Sequence, residues 1–240
     1  MSDFTVITPT GDRPEAFEIC KNYVQRQTLI PSQWIIVDDG VNPTDVSDIK
    51  VPIKYIRRQR EKLEPKHTIS VQMIEALKYV KTDRIIIVED DDWYCKDYFE
   101  KMMGMFDLPN KPILIGQGQT IYYHVPLQKY FVHGNNEHAS LCQTGFRTAF
   151  ISNMYKICNR CSKNNYPYVD MKIWIIKGIN KYLLLNAPPL CIGMKGLPGR
   201  MGACNGHRNT ERFKQDHNFE YLHSFIGDDV KFYEKFVKTL

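Results

Sequence analysis

Between residues 85 and 94 the chain reads IIIVEDDDWY, with four carboxylates in succession, Glu89, Asp90, Asp91 and Asp92, behind a run of β-branched residues. Like charges this close repel unless something positive intervenes. Three chemistries are open: a proton shared between neighbours, a solvated turn, or hard oxygen ligands around a divalent ion. Placement at the end of a buried strand, with Trp93 and Tyr94 next, argues against a merely solvated run and favours the ion. Magnesium or manganese suits oxygen ligands best, and both commonly bridge phosphate oxygens. Two other polar groupings share the placement. TPTGDRP, with Pro9, Thr10, Asp12 and Arg13, follows the apolar FTVI, and Asp38-Asp39-Gly40 follows QWIIV.

The elements that must position these groups alternate. Strands are expected at FTVI, QWIIVDD, around IKYI and at RIIIVE, with helices across EAFEICKNYVQRQ and ISVQMIEALKYV. Short, nearly continuous apolar strands between amphipathic helices indicate a mostly parallel, doubly wound sheet covered on both faces. Ligands of such sheets bind beyond the carboxyl ends of the strands, so three strand ends point to one site. The second half is less regular: ILIGQGQTIYYHV and KYFVHG read as β segments, a helix ends near Cys161, and YVDMKIWIIKGI reads as another. KYLLLN and LCIGM read as strands. In the tail, DDVKFYEKFVKTL reads as a helix capped by Asp228.

At 240 residues the chain suits a single domain, and 43% apolar with 25% charged residues is ordinary for a globular protein. No linker, repeat or bilayer-length apolar run interrupts it. MSDFTVITPT lacks the basic and apolar regions of a signal peptide, so a cytoplasmic protein with reduced thiols is expected. Cys158 and Cys161 form a C-x-x-C inside a helical pattern without a second pair, which fits half-buried thiols better than a zinc site. A net charge of +5 suits a phosphate-bearing substrate. The densest basic stretch, KYIRRQREKLEPKH at 54–67, alternates charge like a solvated face and carries only Tyr55 as an aromatic.

VITPTGDRP, WIIVDDG and IIIVEDDDWYCKDYFEKM, in this order and spacing, resemble the first half of nucleotide-sugar glycosyltransferases of the GT-A fold, particularly the family-2 type. YVDMKIWIIKGINKYLLLNAPPL resembles the acidic segment that precedes a helix and strand in the same family. The resemblance spans roughly residues 4–195. It implies an α/β GT-A fold with a smaller β-rich acceptor-side region. The nucleotide-binding half would be 1–110 and the acceptor-side half 111–240. Pro9, Thr10 and Arg13 fall on the nucleotide-contacting loop, with Asp12 where the family often has Asn. Asp39 would accept from the base and Asp38 orient it. Asp91 aligns with the metal-binding carboxylate, Asp90 with one that touches ribose or donor sugar, and Glu89 replaces the usual first Asp.

Asp170 aligns with the catalytic base, although Val169 stands where the family has a polar residue; the same carboxylate would also suit a helix N-cap. These residues imply an inverting, Mn²⁺- or Mg²⁺-dependent transferase with a UDP-sugar donor. The glycine-rich stretch 193–208 is either an irregular connection or a lid bringing Arg200, Arg208 or His207 toward the diphosphate, His207 as a further metal ligand. The region from His124 through His133 to His138 falls on the acceptor side and names no acceptor, whether glycan, lipid, protein or modified DNA base. Two alternatives stand beside this reading. A nucleotidyltransferase would want a G-x-G-x-R loop that TPTGDRP does not provide, and a non-catalytic nucleotide-sugar binder would lose the base.

Overall fold

The structure, a computed structural model, describes residues 3–237. The first half runs β1 (Phe4–Thr10), α1 (Pro14–Gln25), β2 (Gln33–Asp38), β3 (Ile53–Arg57), α2 (Ile69–Leu77), β4 (Arg84–Ile87), β5 (Trp93–Tyr94) and α3 (Tyr98–Phe106). The second half runs β6 (Leu114–Gln117), β7 (Thr120–His124), β8 (Lys129–His133), β9 (Thr144–Arg147), α4 (Ile151–Lys163), α5 (Val169–Trp174), β10 (Lys181–Leu184), β11 (Cys191–Lys195), β12 (Lys214–Gln215) and α6 (Glu220–Ile226). A seven-stranded sheet has the order β10-β6-β9-β4-β1-β2-β3, and a smaller five-stranded one the order β12-β8-β7-β11-β5.

In the large sheet β3, β2, β1 and β4 are parallel neighbours, and β9 runs antiparallel to both β4 and β6. Alternation along these strands feeds two cores. Phe4, Val6, Trp34, Ile36 and Ile86 pack with α1 and α3, whereas Ile7, Ile35, Val37, Ile85 and Ile87 pack with α2, α4 and α5. Both faces are therefore apolar, which is why the strands read as unbroken hydrophobic runs. Each such fully buried side chain contributes about 1.5–3 kcal/mol relative to exposure. Among the described residues no helix is long and apolar enough to cross a membrane.

The expected α/β layout holds, with four corrections. ILIGQGQTIYYHV is not one β segment: it breaks after Gln117, leaving β6 in the large sheet and β7 in the small one. The helix expected over YVDMKIWIIKGI stops at Trp174. A helix not marked by periodicity, α3, packs Phe99, Met102 and Phe106 into the first core. The tail is not an α-helix with Asp228 as its cap. After α6, Gly227 turns the chain at φ +54 and two 3₁₀ segments follow, Gly227–Phe232 and Glu234–Phe236; residues 238–240 lie outside the described residues. Cys158 and Cys161 are more than half-buried: both are buried free thiols on α4.

Side chains tie this 3₁₀ tail to the first core. Asp229 pairs with Arg26 and accepts from Trp93 Nε1 at 2.7 Å, and the buried Tyr23 and Tyr233 hydroxyls meet at 2.9 Å. Asp229→Ala leaves the Trp93 indole N–H without its acceptor and Arg26 without its carboxylate. A loss of about 1–3 kcal/mol is expected, read by urea denaturation.

Candidate active site

The loop after β1 and the loop after β2 are built against each other. Asp12 sits at φ +56, a left-handed conformation that Asp and Asn tolerate better than other side chains, and its Oδ1 accepts from Val41 N at 2.5 Å. A Cβ on Gly40 would stand 2.6 Å from Asp12 N, so only glycine lets the loops approach this closely. Asp38, fully buried, accepts from Tyr55 Oη (2.7 Å), Gly40 N (2.8 Å) and Thr44 N (2.7 Å) and pairs with Arg57 at 3.1 Å. Burial opposes its ionisation, yet the hydrogen bonds, led by Tyr55, hold its pKa below the ordinary value. Asp39 pairs with Arg58 at 3.1 Å and with Arg200. The basic stretch 54–67 is therefore not simply a solvated face. Arg57 and Arg58 turn inward onto the Asp-Asp pair.

The acidic run is held by two cations. Arg13 Nη2 lies 2.7 Å from Asp90 Oδ1 and Arg13 Nη1 2.6 Å from Asp91 Oδ2, while Thr10 Oγ1 donates to Asp90 Oδ2 at 2.7 Å. Lys195, at the end of β11, lies 3.3 Å from Asp92 Oδ1, which also accepts from Met194 N at 2.9 Å. Burial and the repulsion of Asp92 and Asp91 push the Glu89 carboxyl well up. Burial likewise raises Asp90 and Asp92 against the pull of Arg13 and Lys195 respectively. Asp91 goes the other way, because Arg13 and Lys195 outweigh its burial and keep it ionised.

A cavity of about 730 Å³ opens beside this run, lined among others by Pro9, Arg13, Glu89, Asp91, Asp170 and His207. Asp170 enters from the first turn of α5. The helix N-cap is Tyr168 and not Asp170, which lines the cavity. Burial raises its pKa, with the Met171 backbone N–H and then His138 pulling the other way. The segment 196–208 folds over the β1 end: Arg200 N donates to Asp12 O at 3.0 Å and the Arg200 side chain reaches Asp39. His207 Nδ1 accepts from Gly196 N at 3.3 Å. Burial, then the Lys195 charge, pushes the ring down to about 3, so it is neutral.

Of the nucleotide-loop residues expected from the sequence, Pro9 and Arg13 reach the cavity wall. Thr10, Asp38, Asp39 and Asp90 are buried behind it, each engaged by a partner. Sequence reasoning missed Lys195. Its only local signal is a lysine closing an apolar strand, and the pairing with Asp92 spans 103 positions.

Fit to a divalent ion follows from the donor set. Among the described residues, Asp92, Cys142 and Cys191 form a group whose ligand atoms lie within 4.8 Å of one another. Two of its three ligands are soft thiols, so it does not suit magnesium or manganese. Asp91 fits better: with Arg13 on its Oδ2 it is ionised, it lines the cavity, and it offers the single carboxylate that such an ion uses when phosphates and waters supply its other ligands. His207, spending its Nδ1 lone pair on Gly196 N–H, carries its proton on Nε2; ligation there would require the other tautomer.

Arg13 is the element whose loss this arrangement tolerates least. Arg13→Met leaves Asp90 and Asp91 buried without a countercharge and is expected to cost about 3–5 kcal/mol in urea denaturation. The variant's deficit should shrink on acidification. Without the guanidinium both folded-state carboxyl pKa values rise above their unfolded values, so stability is regained as pH falls and the groups take up protons.

The glycosyl transferase family 2 model matches residues 5–160. No curated protein matches the sequence. The crystal structure of S. aureus TarS superposes with a TM-score of 0.58 at 14% identity, covering 80% of this chain and 37% of that chain. S. aureus TarS 1-349 in complex with UDP gives 0.53 at 14% identity (80% and 60%), and the same protein in complex with UDP-GlcNAc gives 0.54 at 14% identity (85% and 61%). This chain thus spans less than two thirds of each TarS chain, and the likeness is one of fold. With the family model matching more than half its length, the chain belongs to glycosyl transferase family 2.

Proposed function

We propose that this glycosyltransferase moves a sugar from a UDP-sugar to an acceptor hydroxyl by a single inverting displacement. The carrying observation is that one cavity holds two carboxylates driven apart by their surroundings: Asp91 is kept ionised by Arg13 and Lys195, and Asp170 is raised by burial. Environments that separate two carboxylates in this way assign them different roles. Asp91 would hold a manganese or magnesium ion, which when bound supplies Lewis-acid neutralisation of the diphosphate. Asp170 accepts the proton of the acceptor hydroxyl. The acceptor oxygen then forms its bond to the anomeric carbon as the bond from that carbon to the phosphate oxygen breaks, the electron pair leaving with UDP. Attack opposite the leaving group inverts the anomeric centre.

The TarS structures with UDP and UDP-GlcNAc support the uridine donor. On this reading Pro9, Thr10 and Arg13 shape the nucleotide side, Asp38 holds the β2 loop and Asp39 accepts from the base once Arg200 has moved off it. Asp90 fixes Arg13 and lies behind the ribose. The chain acts as one catalytic domain, 1–110 for the nucleotide and 111–240 for the acceptor, and the lid expected over 193–208 begins only after β11 ends at Lys195. Seven free cysteines support a reducing compartment, the cytoplasm.

Asp170→Asn should lower kcat by about 10²- to 10⁴-fold while calorimetry shows UDP binding retained; undiminished turnover would remove Asp170 from the mechanism. With wild-type protein, kcat should fall on acidification with a limb above the ordinary carboxylate range, because burial raises the base that must be deprotonated. Incubation with UDP-sugars and manganese should liberate UDP, and release of pyrophosphate would contradict glycosyl transfer.

A further inference from the structure

Inside the site the cations described above are matched by carboxylates, but those at its mouth are not. Arg60, Lys66, Arg208 and Arg212 are exposed, and among the described residues none of them stands in an ion pair. They come from two distant segments that meet here. Lys66, His67, Arg200 and Arg212 line the outer cavity. His67 is lowered first by burial and then by the charges of Lys66, Arg208, Arg200 and Arg60, so all four act on one ring. Glu211 is an acidic side chain on the same wall, while Glu64 is taken up by Arg58. The donor's diphosphate would sit deeper, by Asp91 and Arg13, so the outer charges await a second anion.

The wall beneath this rim is aromatic. Phe131 stacks on Phe213 (centroids 5.7 Å apart, planes at 23°) and on His133 (6.0 Å, 27°), and all three rings line the cavity. Tyr122 and Tyr168 also line it. Flat rings behind a strip of unpaired cations match a polymer that is anionic along its backbone and carries planar groups. Polyol phosphates and acidic glycans offer the charge without the planar group.

Resting on the transferase reading above, we infer that the acceptor is a nucleic acid, its phosphates held by Lys66, Arg208 and Arg212 and an unstacked base laid against Phe131 and Phe213. A base presented this way has left its stack, which brings a hydroxyl on it, or on its sugar, within reach of a pocket built for single residues.

The test is fluorescence anisotropy with a labelled single-stranded oligonucleotide, with heparin as a polyanion lacking bases and UDP calorimetry on the same sample. Micromolar binding that weakens roughly tenfold or more between about 50 and 200 mM salt is expected. The charge-reversed Lys66→Glu/Arg212→Glu variant, checked for an unchanged thermal melt, should lose at least about tenfold in oligonucleotide affinity and show a shallower salt dependence. Phe131→Ala should weaken oligonucleotide binding and leave heparin binding as it was. No oligonucleotide binding, or equal sensitivity of heparin and oligonucleotide to Phe131→Ala, overturns the inference, the latter pointing to an acidic glycan. The UDP measurement speaks only to the donor, so failure there would sink the transferase reading separately.

Discussion

Five buried aspartates at the strand ends each meet a cation brought from elsewhere in the chain. Asp38 meets Arg57, Asp39 meets Arg58 and Arg200, Asp90 and Asp91 share Arg13, and Asp92 meets Lys195. Unpaired charges at this depth would each cost several kcal/mol, so the pairing constrains the backbone as strongly as the apolar cores do. It fixes the β1 loop against the end of β4, and the end of β11 against the start of β5. The link between β4 and β5, where the chain passes from the large sheet to the small one, is thereby held from both sides.

The same pairing sorts the carboxylates. A position with two cations in reach, such as Asp91, stays ionised, and one such as Asp170, buried without either of them, resists ionisation. One holds charge and the other can exchange a proton. Neither property belongs to the residue type; both come from what the fold puts beside it.

Much of this was legible in the sequence because strand periodicity and strand-end polarity are local signals. FTVI, QWIIV and RIIIV announced themselves as strands buried on both faces, and the polar groups behind them converge as expected. The pairing of those groups with cations was not legible. Nothing near Lys195 indicates Asp92, and the alternating charges of 54–67 concealed that Arg57 and Arg58 point inward. The break between β6 and β7 was hidden for a similar reason, since both halves have strand composition and only tertiary pairing assigns them to different sheets. The tail misled through its helical composition, because Asp229 is committed to Arg26 and Trp93 and Gly227 turns the chain.

Arg13 bridges two aspartates with one guanidinium, and this separates architecture from catalysis. In many small metalloproteins the ion is itself the glue, and a chelator dissolves the fold. Here a covalently attached charge already fills that role, so the folding of this acidic run does not depend on a divalent ion.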